Sequence, residues 1–460
     1  MAVPNDVHRS APAWLRSRER EALWLLLAAA VIVRVCLVVF SPTAFGYVWD
    51  FYYEGVRVLH ERGRLPEAAD CWQCYHPPLF YVLGWPLYAF GRWLDAGGGE
   101  TAALRWLGGL PLICGGVTVF YGFRLLRLVR CRGGLLLVGT GLLLAFPCLF
   151  FSSYGADADI VVTAILSALI FYLTRDAALR PPQAALPSVR LGVLAGLAAA
   201  TKYSGLVGLA SIVAVLGVHV LAGRSRAAAV RSVVAVLVIS GLVGGWKYVD
   251  NIHRYGTPLH ANGAASDSFS LKKRRSIGST YEFTTLRMRD LFETIGPGAV
   301  PGRLTGLPVY RSVFTTLHGL GWSDLNFFSE PTRHGDPTHP YPVKRQVWTL
   351  TASVLLLGFV PEVLAIAGIA VTARRRLFLP VALFTLLSAL SYGWWLVAQA
   401  EWGLKTKYIL FLLPPGVLYA VVGLAWLWRR APPTAGVTVA GLLTVLIVLT
   451  HVYLFIFSIG

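Results

Sequence analysis

Residues 41–94 read SPTAFGYVWDFYYEGVRVLHERGRLPEAADCWQCYHPPLFYVLGWPLYAFGRWL. Whether the apolar run that closes this stretch crosses a membrane decides the topology of everything after it. The run opens with Pro77-Pro78, carries Pro86 and Arg92, is rich in Trp and Tyr, and is shorter than the ~20 residues that a spanning helix needs. An amphipathic helix over 77–94, lying along the outer membrane interface, is the expected outcome. Residues 41–103 then form one long outer loop, and chemistry has somewhere to sit.

Composition sets the class. The 460 residues are 56% hydrophobic and only 14% charged, with a mean hydropathy of +0.61, which leaves too little polar surface for a soluble protein of this size. The chain is read as an all-α polytopic membrane protein. Its net charge of +18 does not point to nucleic acid, because the basic residues fall in short clusters between apolar runs, where the positive-inside rule accounts for them. Arginines 9–20 precede the apolar run from Ala22 to Phe40 with no clear cleavage site behind it, so that run is read as a signal anchor.

The arginine clusters at 9–20, 124–132, 175–190, 224–231, 374–376 and 429–430 belong on the cytoplasmic side, so an even number of crossings must separate successive clusters. Parity removes 77–94 from the candidates 22–40, 77–94 and 104–123. The remaining crossings are 135–151, 158–174, 229–249, 347–372, 377–396, 407–428 and 434–457, with 191–222 split near Thr201-Lys202-Tyr203-Ser204 into two short helices. That makes about eleven; a re-entrant hairpin at 191–222 would make nine. The polar segment 250–346 becomes an outer loop capping the cavity, with Arg274, Arg275, His318 and His339 as unranked acceptor-site candidates.

All seven lysines, Lys202, Lys247, Lys272, Lys273, Lys344, Lys405 and Lys407, then fall at or near the outer face, against the positive-inside trend. A phosphate held at the outer leaflet is a reason for cations there. Lys272, Lys273 and Lys344 read as solvated loop residues; Lys202, Lys405 and Lys407 sit at helix ends among apolar neighbours, where snorkelling is the plain alternative. The acids on that side are Asp50 and Glu54 in the first loop, Asp157 and Asp159 in the turn SSYGADAD, and Glu401. Asp50, among Trp49, Phe51, Tyr52 and Tyr53, would be desolvated, which raises a carboxyl pKa and suits it to accept a proton; it would equally serve as a helix N-cap. Asp157-Ala158-Asp159 could hold a divalent metal or merely cap a helix. No cofactor is required, and a divalent metal is possible. Cys71-Trp72-Gln73-Cys74 allows a local disulfide or, with His76, a zinc half-site; it is not a haem attachment motif. Glu362, within apolar sequence, is expected to pair with Arg34.

These residues carry a resemblance. The acid followed by aromatics, the Gly63-Arg64-Leu65-Pro66 segment and the HPPLFY turn at 76–81 resemble the first outer loop of GT-C glycosyltransferases, above all the polyprenyl- or dolichyl-phosphate-mannose protein mannosyltransferases and the lipid A aminoarabinose transferases. GLAAATKYSGL at 196–206, WKYVDNIHRYGTPL at 246–259 and KTKYILFLLPP at 405–415 agree, in order. The resemblance implies a GT-C fold spanning the chain as a single transmembrane domain, with its active site at the outer face. It implies Asp50 as catalytic base with Asp159 or Asp157 as the second-turn acid, and Lys202 facing the donor phosphate. Lys405 and Lys407 are further candidates for that phosphate, and Tyr53, Glu54, His76, Tyr154, Tyr203 and Glu401 are candidates to line the cavity. Many protein mannosyltransferases have Asp-Glu where this chain has Asp50-Phe51, so their acceptor class is not implied.

The expected function is transfer of a sugar from a polyprenyl-phosphate donor to an acceptor hydroxyl on protein, lipid or glycan, with inversion. Its partners are the lipid-linked donor and the surrounding membrane lipid, with no nucleic acid. The setting is a bacterial inner membrane, active face toward the periplasm. The competing reading is a lipid or glycan transporter or flippase, which would place ionisable groups near the bilayer midplane and show a repeat between halves.

Overall fold

A computed structural model describes residues 19–40, 51–95, 100–179, 187–221, 226–260, 280–295, 312–323, 348–398 and 405–459. Asp50, Glu401, Lys272, Lys273, Lys344, Arg274, Arg275 and His339 lie outside the described residues. The described residues are mainly helical, without strands, and the longest described non-helical stretch is 63–78. Backbone hydrogen bonds in lipid must be satisfied within the segment, and helices do this in a sequence so apolar.

The first helix, α1 (Glu19–Phe40), is followed by α2 (Tyr52–Arg62), α3 (Leu79–Leu94), α4 (Thr101–Leu107) and α5 (Gly109–Leu128). Next come α6 (Gly134–Ala145), the short α7 (Pro147–Ser152), α8 (Ala158–Leu179), α9 (Ser188–Thr201), α10 (Leu206–Leu221), α11 (Arg226–Ser240) and α12 (Trp246–Tyr255). The second half holds α13 (Thr280–Thr284), α14 (Met288–Ile295), α15 (Val313–Trp322), α16 (Trp348–Thr372), α17 (Leu379–Ala398), α18 (Leu413–Arg430) and α19 (Pro433–Ile459). Among the described residues, eight helical stretches are long and apolar enough to cross a membrane: 101–128, 158–178, 203–221, 226–255, 348–372, 376–397, 406–430 and 434–456. With α1, α6 and α9 these account for the eleven apolar segments expected. α3 is a 16-residue helix with Pro86 inside it, packed on α2 and α4.

α8 is the spine. It is the most buried of the spanning candidates, and it packs on α5, α9 and the 3₁₀ stretch Thr406–Leu412 that leads into α18. The break expected near Thr201–Ser204 falls at Lys202, whose backbone is extended (φ −159°, ψ 152°) between α9 and the 3₁₀ turn Tyr203–Gly205. An extended residue cannot continue a helix, so the ammonium is delivered at a helix end. α16 and α18 cross so closely that a Cβ at Gly423 would strike the Leu364 carbonyl and one at Gly368 the Tyr419 carbonyl. Small residues at the crossing let the two backbones touch.

Two elements differ from expectation. Arg34 does not meet Glu362, because α1 packs on α6 and α19. Its guanidinium instead donates to the Leu144 carbonyl at 3.3 Å and lies 5.4 Å over the Phe150 ring. Leu144 belongs to the last turn of α6, so Arg34 supplies the positive charge and donors that a helix C-terminus lacks. Glu362 meets α15: its Oε1 accepts from Trp322 Nε1 at 2.9 Å and lies 2.8 Å from His318 Nδ1. α15, from the segment read as a polar outer loop, is buried along almost its whole length.

Candidate functional site

The turn before α8 and the breaks at Lys202 and Lys407 bring charged groups from three distant parts of the chain together. Asp157 accepts the Asp159 backbone N–H at 2.8 Å and so caps α8. Lys202 Nζ donates to Asp159 Oδ1 at 2.6 Å. Lys407 Nζ donates to Asp157 Oδ2 at 2.9 Å and stands 4.0 Å from Asp159 Oδ2. The side chains are nearly closed off from solvent: Asp159 is 1% exposed, and both lysines are 11% exposed. A lone charge so placed would be costly, and four groups of balanced sign hold one another there. Burial and the neighbouring Asp159 push the Asp157 carboxyl well above the usual carboxylate range, with Lys202 pulling the other way.

Aromatic rings floor the cluster. The Tyr408 ring lies 4.3 Å from Lys202 Nζ and 5.8 Å from the Nζ atoms of both Lys405 and Lys407, and the Tyr52 ring lies 5.8 Å from Lys202. Three ammonium groups thus surround one ring whose π face attracts cations. Tyr408 lies in the KTKYILFLLPP stretch quoted from the sequence but was given no role there; its place directly after Lys407 in that motif was the available signal. Two further elements hold this segment. Thr406 Oγ1 donates to the Leu317 carbonyl of α15 at 2.7 Å, and the Lys405 N–H donates to the Tyr392 hydroxyl of α17 at 3.0 Å.

The HPP turn closes one side. His76 is buried, stacks on Tyr52 with centroids 5.5 Å apart, and its Nδ1 has no hydrogen-bond partner among the described residues. Burial first, and the Lys202 ammonium second, hold its pKa well below the ordinary histidine value, so the imidazole is neutral. The Tyr203 hydroxyl lies 2.8 Å from the His260 carbonyl and 3.1 Å from that of Tyr75, and accepts from Asn251 Nδ2 at 3.1 Å. It ties the first loop to α12 and the turn beyond it. Cys71 and Cys74 form a disulfide just before His76, which takes both sulfurs out of the zinc reading.

Of the residues singled out in the sequence, Lys202, Lys407, Asp157 and Asp159 form one cluster, with Lys405, His76 and Tyr203 at its edge. Tyr154 is buried in the same apolar cluster as Tyr52 and Phe150. Tyr53 and Glu54 meet Arg57 rather than the lysines: the guanidinium lies 5.8 Å over the Tyr53 ring, and burial raises the Glu54 carboxyl while Arg57 opposes it. Asp157 and Asp159 supply the only acids of the cluster among the described residues, which contain no group of three or more potential metal ligands.

Solved structures similar to this chain include two of one protein. One is the crystal structure of ArnT from Cupriavidus metallidurans in the apo state, at 17% identity and a TM-score of 0.39, covering 88% of this chain and 77% of that one. The other is the same protein bound to undecaprenyl phosphate, at 17% identity and a TM-score of 0.38, covering 90% and 79%. No protein-family model and no curated protein matches the chain.

Proposed function

We propose that this protein is a membrane glycosyltransferase of the GT-C type, moving a sugar from a polyprenyl-phosphate donor to an acceptor hydroxyl at the outer membrane face. The observation that carries the reading is the meeting of Lys202 and Lys407 over the Tyr408 ring, beside Asp157, Asp159 and the HPP turn. Ammonium groups collected at one outer cavity are matched to a phosphate that gains charge as it leaves. The Asp157 and Asp159 carboxylates occupy those ammonium groups until the donor phosphate takes their place.

In the reaction, Asp50 accepts the acceptor hydroxyl proton as that oxygen attacks the anomeric carbon from the side opposite the phosphate. The bond from the anomeric carbon to the phosphate oxygen breaks, its electron pair stays on that oxygen, and Lys202 and Lys407 neutralise it. A single displacement inverts the anomeric centre. A prenyl chain held in the membrane fixes the donor's orientation and removes part of the entropic barrier. In this reading residues 41–103 form one wall of the cavity, with helix 77–94 along the interface, and 250–346 caps it and carries part of the acceptor site. The acceptor is a protein, lipid or glycan hydroxyl on the periplasmic side of a bacterial inner membrane.

The test is transfer by the purified protein from a panel of polyprenyl-phosphate sugars. Asp50→Asn should lower turnover by about 10²–10⁴-fold, the range for losing a general base, while folding and donor binding persist. Transfer that survives this substitution overturns the mechanism.

A further inference from the structure

At the opposite end of α8, three guanidinium groups from three helices gather on two neighbouring rings. Arg175 of α8 lies 5.8 Å over Phe171 and 4.9 Å over Tyr172. Arg124 of α5 lies 5.1 Å over Phe171, and Arg190 of α9 lies 4.0 Å over Tyr172. One carboxylate serves them: Asp176, 5% exposed, accepts from Arg175 at 3.1 Å and from Arg190. Among the described residues no carboxylate pairs with Arg124, so three positive charges face one negative charge. Arg190 Nε is buried without a hydrogen-bond partner among the described residues, which leave one edge of that fork unfilled.

The positive-inside rule explains arginines at this end of the bundle, but not their convergence. Like charges repel, and arginines scattered round the rim would satisfy the rule at lower cost. Stacking on ring faces relieves only part of the repulsion. An anion seated on the cluster would relieve the rest, and a phosphate suits a guanidinium fork because it accepts two parallel hydrogen bonds. Depth points to its source. Arg175 stands 17 residues beyond Ala158, roughly 25 Å along α8, near the inner boundary of a hydrocarbon core ~30 Å thick. Phosphate at that depth is carried by lipid headgroups, and basic pockets between helices on the inner side take anionic ones.

We infer that Arg124, Arg175 and Arg190 form a binding site for the phosphate of an anionic phospholipid in the inner leaflet, separate from the outer cavity. The site does not depend on the transfer activity, and its test reads lipid binding alone. The full chain in detergent is titrated with palmitoyl-oleoyl phosphatidylglycerol or phosphatidylcholine, and bound lipid is counted by native mass spectrometry. Phosphatidylglycerol should bind more tightly, and Arg124→Gln should weaken it about fivefold, the worth of one arginine near a charged leaflet, with phosphatidylcholine unchanged. Arg190→Gln should do the same; Arg124 forms no ion pair with a described residue, so its variant stands as the test if Arg190→Gln misfolds. Equal affinity for the two lipids, or phosphatidylglycerol binding indifferent to Arg124→Gln, overturns the site. Displacement of phosphatidylglycerol by millimolar inorganic phosphate overturns the lipid as its occupant.

Discussion

Lys202 shows most clearly how one residue organises the lysine–aspartate cluster. Its backbone ends α9, its ammonium pairs with Asp159, and its charge helps keep His76 neutral. Lys202→Met would leave Asp159 buried without its closest cation. A cost of about 3–5 kcal/mol is expected from stranding one member of a buried pair, read as a large fall in thermal stability in detergent. The double variant Lys202→Met with Asp159→Asn removes both charges and should recover much of it. His76 gives a pH signature. Its folded pKa lies below that of the unfolded chain, so above about 6.5 both states are neutral and nothing is lost. Below that value the unfolded chain takes up a proton that the folded protein refuses, and stability falls by up to about 1.4 kcal/mol per pH unit until the folded pKa is reached. Melting temperatures at pH 7.5 and 5.5 should therefore separate further in the wild type than in His76→Phe; equal separation would show that the imidazole does not stay neutral.

At the scale of elements, the close crossing of α16 and α18 is the most exacting contact. Gly423→Val should lower stability by about 1–3 kcal/mol, as overpacking does, whereas Gly416→Ala, with open space at its Cβ, should not; chemical denaturation of both variants checks this. Much of this level was legible in sequence. The break at Lys202 showed because residues 191–222 are too long for one span and change character at Thr201-Lys202-Tyr203-Ser204. α15 did not show. It comes from a polar segment without strong periodicity, and its Gly319, Gly321 and two threonines give no apolar stripe. What buries it is tertiary: His318 stacked on Phe359, Trp322 bonded to Glu362, and Leu317 accepting from Thr406. For the same reason Glu362 was assigned the wrong partner. Two ionisable residues in apolar helices invite pairing, and only the packing order of the helices shows that α1 goes elsewhere.

Across the whole molecule, the clustered lysines and one arginine cluster sit at opposite ends of α8. Lys202, Lys405 and Lys407 surround Tyr408 at one end, and Arg124, Arg175 and Arg190 lie over Phe171 and Tyr172 at the other, while Arg57, Arg62, Arg64 and Arg254 form ion pairs on the lysine side. The gathering of the lysines on one side was readable from residue counts and parity. The pairing of each lysine with a particular aspartate was not, because 43 and 250 residues separate the partners along the chain. The central claim is that this lysine end receives the donor phosphate. A cryo-electron microscopy structure of the protein with a bound polyprenyl-phosphate sugar tests it most directly. The account predicts the phosphate within hydrogen-bond distance of Lys202 Nζ and Lys407 Nζ, with those ammonium groups drawn away from Asp159 and Asp157. A phosphate seated elsewhere, with both lysine–aspartate pairs intact, would contradict it.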